Sequence, residues 1–296
     1  MEFAVMNNTL HNGFKLLDYL AMAAKPVSVK ELAEHFSLPN SHVCRLLKTL
    51  TGTGYVEQYP HSRKYGISLK ILHLAHARIQ NERLLGLARP YLRQLCEKLD
   101  AVVFVTRSYC GMSLIIGTEY PILSQQERET LTGALHDPTS SACGRICAAY
   151  ASGDLQKDLM QKIDWNAPGD FQHRPESFLE ELSLIRRQGY TWRAPADSAG
   201  GVGVPLFDSD CICNGALGVM LPSSRMNNAE LLQNVIEAAL NCGKLLSFAQ
   251  GAPAEGYPYI NNTQLSASWQ HLFFCSEIIN CCTADKENPF AEQQFF

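Results

Sequence analysis

The stretch LPNSHVCRLLKTL, residues 38–50, combines a buried helix face with a polar one. Its apolar side chains recur at the i, i+3, i+4 and i+7 spacing of one helix face: Val43, Leu46, Leu47 and Leu50. The opposite face carries hydrogen-bonding side chains: Ser41, His42, Arg45, Lys48 and Thr49. Pro39 suits a first helical position, because its missing N–H would have no partner there. The stretch therefore predicts a helix that begins abruptly and presents polar groups at its N-terminal end.

Two shorter helical patterns precede this stretch. FKLLDYLAMAA predicts a helix that ends near Lys25-Pro26, because the residue before proline avoids helical angles. Its predicted buried face is Phe14, Leu17, Leu20 and Ala21. SVKELAEHF predicts a helix with a capping box between Ser28 and Glu31, whose buried face is Leu32, Ala33 and Phe36. Only residues 37–39 separate it from the next helix. This pair predicts a helix-turn-helix, in which the second helix is offered to the DNA major groove.

The residues after this helix predict a β-hairpin. Gly52 and Gly54 end the helix, YVEQY and KYGI have strand propensity, and PHSR forms the turn. Such a wing can lie along the phosphate backbone and supply affinity without sequence information. The predicted DNA-binding residues are Ser28, Asn40, Ser41, His42, Arg45, Lys48, His61, Arg63, Lys64 and Tyr65. Arg45 is the best suited of these to a bidentate contact with guanine. A winged helix that binds protein, or a helical pair that only packs, is the alternative.

Charge is distributed unevenly along the chain. Residues 1–78 contain nine Lys and Arg against five Asp and Glu, a net charge of +4, and the remainder carries −8. A basic end on an acidic body is what DNA binding by one end requires, although chance segregation of a few charges gives the same asymmetry.

The composition favours a cytoplasmic protein of two domains. The 296 residues are enough for two cores, and there is no run of about 18 apolar residues to span a membrane. The N-terminus lacks the pattern of a signal peptide. The eleven cysteines are odd in number and irregularly spaced, which indicates buried thiols more than disulfides.

The remainder of the chain alternates helical and strand patterns. LLGLARPYLRQLCEKL predicts a helix interrupted at Pro90, and AVVFVT and MSLIIG predict two strands joined by a turn. SACGRICAAYASG and PESFLEELSLIRRQG predict helices. GVGVPLF and GALGVML are continuous apolar strands, typical of a sheet covered on both faces. A final helix begins at NAELLQ, with Asn227 and Glu230 as its capping pair. This part predicts a sensor-like α/β domain.

The sequence resembles the IclR family of bacterial transcriptional regulators over about residues 10–250. The matching segments are VSVKELAEHFSLPNSHVCRLLKTLTGTGYVEQ, KYGISLKIL, ARPYLRQLCEKLDAVVFV, TSSACGRICAAYASG, IRRQGYTW, GVGVPLFD and GALGVMLPSSRM. The resemblance implies an α+β protein with a winged helix-turn-helix in 1–68, a linker helix in 69–83 and a GAF-like α/β effector-binding domain in 84–250. Residues 251–296 are a C-terminal extension without an assigned role. The resemblance also implies a homodimer or tetramer on palindromic double-stranded operator DNA, with repression or activation left open.

The same resemblance implies a site for a small-molecule effector. Carried over by position, the effector-binding residues are Ser140, Ser141, Ala142, Cys143, Gly144, Arg193, Gly201, Gly218 and Met220. Arg145 stands where the family often has lysine. The N–H groups at the start of the helix attract a carboxylate. Gly218 and Met220 replace the family's small polar residues, which predicts a roomier, more apolar pocket for an aromatic, larger or sugar acid. Capping for the serines and surface exposure for Arg193 are the alternatives.

The cysteines suggest a second possibility. Cys143 and Cys147 lie one helical turn apart and Cys211 and Cys213 lie two residues apart, so a redox- or metal-responsive regulator is the alternative function. Neither pair has metal-ligand spacing with a histidine, and free cysteine is mostly a small buried hydrophobe. Because no nucleophile–base pair is recognisable, we expect neither enzymatic activity nor a metal or other cofactor.

Overall fold

The three N-terminal helices form around the apolar stripe of residues 43–50. The computed structural model describes residues 7–121, 131–194 and 199–253, and these divide into two units between Glu82 and Arg83. The elements of the first unit are α1 (Asn8–Met22), α2 (Val29–Phe36), α3 (Asn40–Gly52), β1 (Val56–Gln58), β2 (Tyr65–Ile67) and α4 (Lys70–Gln80). Strands β1 and β2 pair antiparallel as the predicted hairpin. The first unit is therefore a winged helix-turn-helix.

The predicted buried faces of α2 and α3 are confirmed, with small differences. Val43 and Leu47 are fully buried, and Leu46 and Leu32 join them in one core. Helix α3 begins at Asn40, one residue later than predicted, because Pro39 has extended angles and acts as the N-cap. The capping box of α2 is present.

The predicted buried face of α1 is correct for Leu20 and partly correct for Leu17, which packs half-buried against the core, and it is wrong for Phe14 and Ala21. Gly13, Leu16 and Leu20 are buried, whereas Phe14 is 57% exposed and Ala21 is also exposed. Gly13 faces Leu46 of α3, where a Cβ would make an ordinary contact at 3.9 Å. An apolar stripe on α1 is consequently left facing solvent.

The second unit is a six-stranded sheet with helices on both faces. Its elements are α5 (Arg83–Leu99), β3 (Val102–Tyr109), β4 (Met112–Glu119), β5 (Leu135–His136), α6 (Ala142–Ala149), α7 (Gly153–Lys162), α8 (Pro175–Gln188), β6 (Thr191–Arg193), β7 (Gly200–Phe207), β8 (Cys213–Leu221), α9 (Ser223–Met226) and α10 (Ala229–Ala249). The strand order is β5-β4-β3-β8-β7-β6, with antiparallel neighbours. The predicted fold class, α+β with an α/β second domain, is confirmed.

Adjacent residues of β7 contact opposite helical layers. Gly203 lies beneath the first residues of α6, and the next residue, Val204, contacts Gly243 of α10. Successive side chains of a strand point to opposite faces, so both faces of the sheet are covered. This explains why β7 and β8 are apolar along their whole length, as predicted.

Two predictions about helix ends and interruptions are wrong. Asn228, not Asn227, is the N-cap of α10, and its side chain accepts a hydrogen bond from Leu231 N–H. Helix α5 continues through Pro90. Proline cannot donate a hydrogen bond to the carbonyl four residues earlier, which here belongs to Gly86. Because Pro90 and Gly86 are both exposed, water can solvate the Gly86 carbonyl instead. The buried residues of α5, including Leu84, Leu92 and Leu95, keep the helix continuous.

Two other expectations concern the ends of the chain and the membrane. The predicted C-terminal extension lies almost entirely outside the described residues, which end at residue 253. Across the described ranges, none of the helices combines the length and apolarity that a bilayer crossing requires.

The exposed proline of α5 predicts a stabilising substitution. The Pro90→Ala substitution restores a backbone N–H donor and removes a steric clash inside the helix, so we expect the free energy of unfolding to rise by about 1–2 kcal/mol. This is less than the full cost of a proline inside a helix, because alanine also gives the unfolded chain more conformational freedom. Urea denaturation measures the change, with Arg89→Ala on the same exposed side as the control. A less stable Pro90→Ala variant would contradict this account.

Candidate functional site

The polar side of α3 forms the first candidate site. Asn40, Ser41, Arg45 and Lys48 are exposed, as the amphipathic pattern predicts. Thr49 Oγ1 donates to the Arg45 carbonyl at 3.1 Å, which keeps the threonine hydroxyl on the helix. For Arg45 and Lys48, the structure shows no acidic partner within the described ranges. Their charges are therefore available to a phosphate or a base edge.

His42 is placed differently from its neighbours. Its ring is half-buried, and Nδ1 lies 3.4 Å from Nη2 of Arg45. Because a guanidinium only donates hydrogen bonds, Nδ1 is the acceptor. Nε2 faces inward, away from solvent, without a hydrogen-bond partner among the described residues. His42 therefore helps to orient Arg45 as a hydrogen-bond acceptor. It does not present a hydrogen-bond donor of its own to the surface.

Ser28 and Tyr65, two predicted DNA contacts, have structural partners. Ser28 Oγ accepts from Glu31 N–H at 3.2 Å, and Ser28 N–H donates to Glu31 Oε2 at 2.6 Å. Tyr65 exchanges backbone hydrogen bonds with Val27 and packs partly into the core. Both residues therefore hold the hairpin and α2 in place, whatever further contact they make.

The hairpin presents the remaining predicted cations. His61 and Arg63 are exposed between β1 and β2, and Arg63 adopts a left-handed φ of 55°. Lys64 Nζ lies 3.6 Å from Glu31 Oε2 in an exposed pair. Such pairs contribute little, so Lys64 can exchange that partner for a phosphate. Arg45 and Lys48 on α3 and Arg63 on the hairpin are thus exposed cations of the first unit.

A cavity of about 130 Å³ between the sheet and the start of α6 is the second candidate site. Its lining residues are Phe104, Ser113, His136, Ser140, Ser141, Ala142, Cys143, Arg193, Ala199, Gly200, Gly201, Val202 and Met220. Most of the predicted effector-binding residues are brought together here: Ser140, Ser141, Ala142, Cys143, Arg193, Gly201 and Met220. Strands β5 and β4 at the opposite edge contribute His136 and Ser113, and the central strand β3 contributes Phe104. Sequence reasoning missed these three residues because it could not supply strand order.

The two remaining predicted residues, Gly144 and Gly218, lie outside the lining. A Cβ on Gly144 would lie 2.5 Å from the Asp137 carbonyl oxygen, so this glycine allows the chain to turn into α6. A Cβ on Gly218 would meet the Phe104 ring at 2.3 Å and Cys143 Sγ at 2.8 Å. The Phe104 ring therefore fills the space that Gly218 leaves, and Gly218 does not itself open the pocket as its position predicted.

The N-terminus of α6 is held open towards the cavity. Ser141 is the N-cap, and its Oγ accepts from Gly144 N–H at 2.9 Å. The preceding turn is fixed by Asp137, whose Oδ1 accepts from Thr139 N–H at 2.6 Å and from Ser140 N–H at 3.1 Å. The first N–H groups of a helix lack partners within the helix, and among the described residues none accepts from Ala142 or Cys143. The cavity therefore has backbone donors for an anion.

Arg193 supplies a positive charge to the same cavity, but the charge is shared. Its Nε lies 2.6 Å from Asp170 Oδ2 and its Nη2 lies 3.2 Å from Oδ1. Arg145 Nη2 lies 2.5 Å from the same Oδ2. Hydrogen bonds from Arg193, and then from Arg145, lower the pKa of Asp170 against the opposing effect of burial. Asp170 consequently joins β6 to α6 beside the cavity.

Arg145 itself does not line the cavity. It is 5% exposed, donates to the Thr139 carbonyl at 3.1 Å, and lies 4.7 Å above the Phe171 ring. A second, longer contact joins it to Glu181 at 3.8 Å. Its charge is therefore used inside the fold, and Arg193 is the guanidinium that reaches the cavity.

The four cysteines of the two predicted pairs, all within the described residues, do not form a cluster suited to metal. Cys143 and Cys147 are buried in α6, whereas Cys211 is exposed in the turn before β8. Burial raises the pKa of the Cys143 thiol to about 12 and that of Cys147 well above its usual range, which disfavours the thiolate that redox chemistry and metal binding require. In the part of the chain that the structure describes, no group of three His, Cys, Asp or Glu side chains is arranged for a metal ion.

Two family models match successive parts of the chain. The model described as the IclR helix-turn-helix domain matches residues 9–60, and the model described as the C-terminal part of the bacterial transcriptional regulator IclR matches residues 76–248. The second match alone spans more than half of the chain.

Individual relatives agree with these matches. The HTH-type transcriptional regulator KdgR of Escherichia coli (strain K12) is 23% identical over 238 residues, covering 79% of this chain and 89% of the relative. An IclR family transcriptional regulator from Brucella abortus has a TM-score of 0.72 at 20% identity, over 82% of this chain and 92% of that one. An IclR homolog from Microbacterium hydrocarbonoxydans, solved in complex with 4-hydroxybenzoate, has a TM-score of 0.62 at 16% identity, over 81% and 98%. At these identities, the structural likeness shows the fold.

The shared carboxylate predicts a pH-dependent loss of stability. The Asp170→Asn substitution removes the charge that pairs with both Arg145 and Arg193. We expect the free energy of unfolding at pH 7 to fall by about 1 kcal/mol, the contribution of a charged hydrogen bond reduced for solvent screening. The reduction is needed because the Asp170 side chain is 39% exposed. Since its folded pKa is lowered, this stabilisation is present above the unfolded pKa of about 3.9 and is lost as pH falls through the folded value.

Urea denaturation at pH 7, 5 and 4 measures this difference. The gap between the parent and Asp170→Asn stays constant from pH 7 to 5 and narrows below. Asp158→Asn, an exposed aspartate of α7, is the control and leaves stability unchanged. Equal stability of Asp170→Asn and the parent at pH 7 is the result that would refute a stabilising role.

Proposed function

Because the chain belongs to the IclR family of bacterial transcriptional regulators, we propose that α3 reads an operator and that the cavity binds a small organic acid which controls this reading. The helix-turn-helix of residues 9–60 makes the chain a DNA-binding regulator. We propose residues 1–68 as the DNA-binding domain, 69–83 as a linker and 84–250 as the effector-binding domain. We also propose a cytoplasmic location, because a regulator of this kind acts on the bacterial chromosome.

The observation that carries the DNA interface is the exposed pair Arg45 and Lys48 on α3. Arg45 is oriented by His42 and is suited to a guanine edge in the major groove. Asn40 and Ser41 stand at the N-terminal end of α3, where HTH recognition helices contact bases. Arg63, on the hairpin, is placed to contact phosphate and to contribute affinity that decreases with salt. Base contacts and phosphate contacts thus come from different elements of the first unit.

The exposed apolar faces of the first unit support a homodimer, or a tetramer built from dimers. Helix α1 exposes Leu10 at 59%, Phe14 at 57% and Met22 at 88%. Helix α4, which has no buried residue within the described ranges, exposes Leu72, and its N-cap Leu69 is also exposed. Exposed large apolar side chains grouped on a helix face are typical of a protein interface. A second copy of the chain would cover it and place two α3 helices on a palindromic operator.

The size and chemistry of the cavity support an acid with a single ring. Its volume of about 130 Å³ is close to the roughly 150 Å³ engineered cavity in another protein that accepts benzene. Phe104 and Met220 supply apolar walls, while the free N–H groups of α6 and Arg193 favour a carboxylate. The 4-hydroxybenzoate complex of the Microbacterium hydrocarbonoxydans homolog supports the same class of ligand. A sugar acid of similar size would leave the apolar walls unmatched.

Control of DNA binding follows from differential affinity. A ligand shifts a conformational equilibrium only by as much as it prefers one state over another. An acid that prefers one arrangement of the oligomer would change the separation of the two α3 helices, and with it the match to half-site spacing. The buried thiols, with their raised pKa values, do not favour redox control.

The DNA interface predicts a large loss on removal of two charges. In the Arg45→Ala/Lys48→Ala variant we expect affinity for the upstream region of the chain's own gene to fall by at least about 100-fold, because a base contact and a phosphate contact are lost together. Fluorescence anisotropy at two salt concentrations measures this, and Lys15→Ala, which removes an exposed charge from α1, is the control. Unchanged affinity in the double variant would overturn the assignment of α3.

The exposed apolar side chains of α1 and α4 predict that acidic substitutions there weaken cooperative binding to two DNA half-sites. In Phe14→Asp/Leu72→Asp, buried carboxylates would oppose the joining of two first units. We expect weaker binding to a two-half-site operator and unchanged binding to a single half-site, measured by anisotropy with both DNA lengths. Lys15→Asp/His73→Asp adds the same acidic residues at other exposed positions of α1 and α4. If it weakens two-site binding equally, charge and not the apolar surface is responsible.

A further inference from the structure

Ser113 has a buried polar side chain and is not among the effector-binding residues predicted from the sequence. It lies on β4, is 1% exposed and lines the cavity. Its Oγ has no hydrogen-bond partner among the described residues. A buried hydroxyl without a partner costs about 1–3 kcal/mol, and native proteins contain few such groups. An alanine would occupy the same place without that cost, so the hydroxyl points to a partner that enters the cavity.

His136 brings a second polar group to the same place. It lies on β5 directly opposite Ser113 in the β4–β5 register, and it also lines the cavity. Directly opposed residues of an antiparallel pair point to the same face of the sheet, with Cβ atoms about 5 Å apart. Imidazole can donate or accept a hydrogen bond. Ser113 and His136 together can therefore serve a group that both donates and accepts.

The strand order separates these two residues from the anion-binding end. Strands β5 and β4 lie at one edge of the sheet, while β7 and β6, which carry Gly201 and Arg193, lie at the other edge. Phe104 on β3 and Met220 on β8 come from the strands between them. The cavity lining thus has a polar group at each edge of the sheet and apolar side chains in the middle.

We propose that Ser113 and His136 form a second polar subsite, which hydrogen-bonds a hydroxyl at the end of the effector remote from its carboxylate. This inference rests on the proposed function and narrows it from a one-ring acid to a hydroxylated one. The carboxylate meets the N–H groups of α6 beside Arg193, the ring lies against Phe104 and Met220, and the hydroxyl satisfies Ser113 Oγ. A methyl group of the same size would fill the space and leave the serine unsatisfied.

Isothermal titration calorimetry on the full chain tests the subsite with matched ligands. The probes are benzoate, the 3- and 4-hydroxybenzoates, and the 3- and 4-methylbenzoates, in which a methyl replaces the hydroxyl. For the parent we expect one hydroxybenzoate to bind about tenfold more tightly than its methyl counterpart, the effect of one well-formed hydrogen bond. In Ser113→Ala we expect this ratio to fall to about one, with the affinity for benzoate changed by less than about twofold.

Ser183→Ala, an exposed serine of α8, is the matched control and keeps the ratio of the parent. An unchanged ratio in Ser113→Ala, or a parent that does not discriminate hydroxyl from methyl, overturns the subsite and leaves the anion site standing. Equal loss of benzoate and hydroxybenzoate affinity in Ser113→Ala also overturns it, because the hydroxyl is then not the partner. If none of the acids binds at millimolar concentration while DNA binding is intact, the acid effector fails together with the subsite.

Discussion

The approach of α6 to β7 is the contact on which the second unit depends. Gly203 has no side chain, and a Cβ there would lie only 2.9 Å from the Ala142 carbonyl carbon. The first turn of α6 can therefore rest on the sheet, and its N–H groups reach the cavity. Any larger residue at this point would lift the helix and separate its donors from the strands that carry Arg193 and Met220. The geometry of the cavity is thus set by backbone proximity more than by any one side chain.

The charges around the cavity are arranged around one carboxylate. Asp170 pairs with a buried arginine on one side and with the arginine that reaches the cavity on the other. A buried guanidinium needs such a partner, because an unpaired buried charge is strongly destabilising. The same carboxylate fixes the direction of Arg193, so the buried arginine and the arginine that lines the cavity are held by a single group. Substitution of the residue at 170 therefore affects both the fold and the cavity.

The sequence predicted elements more reliably than faces and contacts. The spacing of Val43, Leu46 and Leu47 was sufficient for α3, because a long apolar stripe specifies one face. Helix α1 was predicted only in part because it has apolar residues on two sides: Leu16 and Leu20 are buried while Leu10 and Phe14 are exposed, and the spacing alone does not distinguish the two sides. The cavity residues of β6, β7 and α6 followed from positions within the family pattern. Phe104, Ser113 and His136 could not be found in this way, since they reach the cavity through strand order and register, which are properties of the assembled sheet.

The pairing of Arg193 with Asp170 has a consequence for which molecules can enter. A free arginine in a cavity would attract any abundant inorganic anion, such as chloride or phosphate. Here the guanidinium shares Asp170 with Arg145, so its charge is partly balanced and a bare ion gains less electrostatic energy than it would beside a free arginine. A molecule that combines a negative group with apolar surface also covers Phe104 and Met220, and this contact adds a hydrophobic contribution that an inorganic ion lacks. For the proposed effector site, the arrangement therefore favours an organic acid over the inorganic ions of the cell.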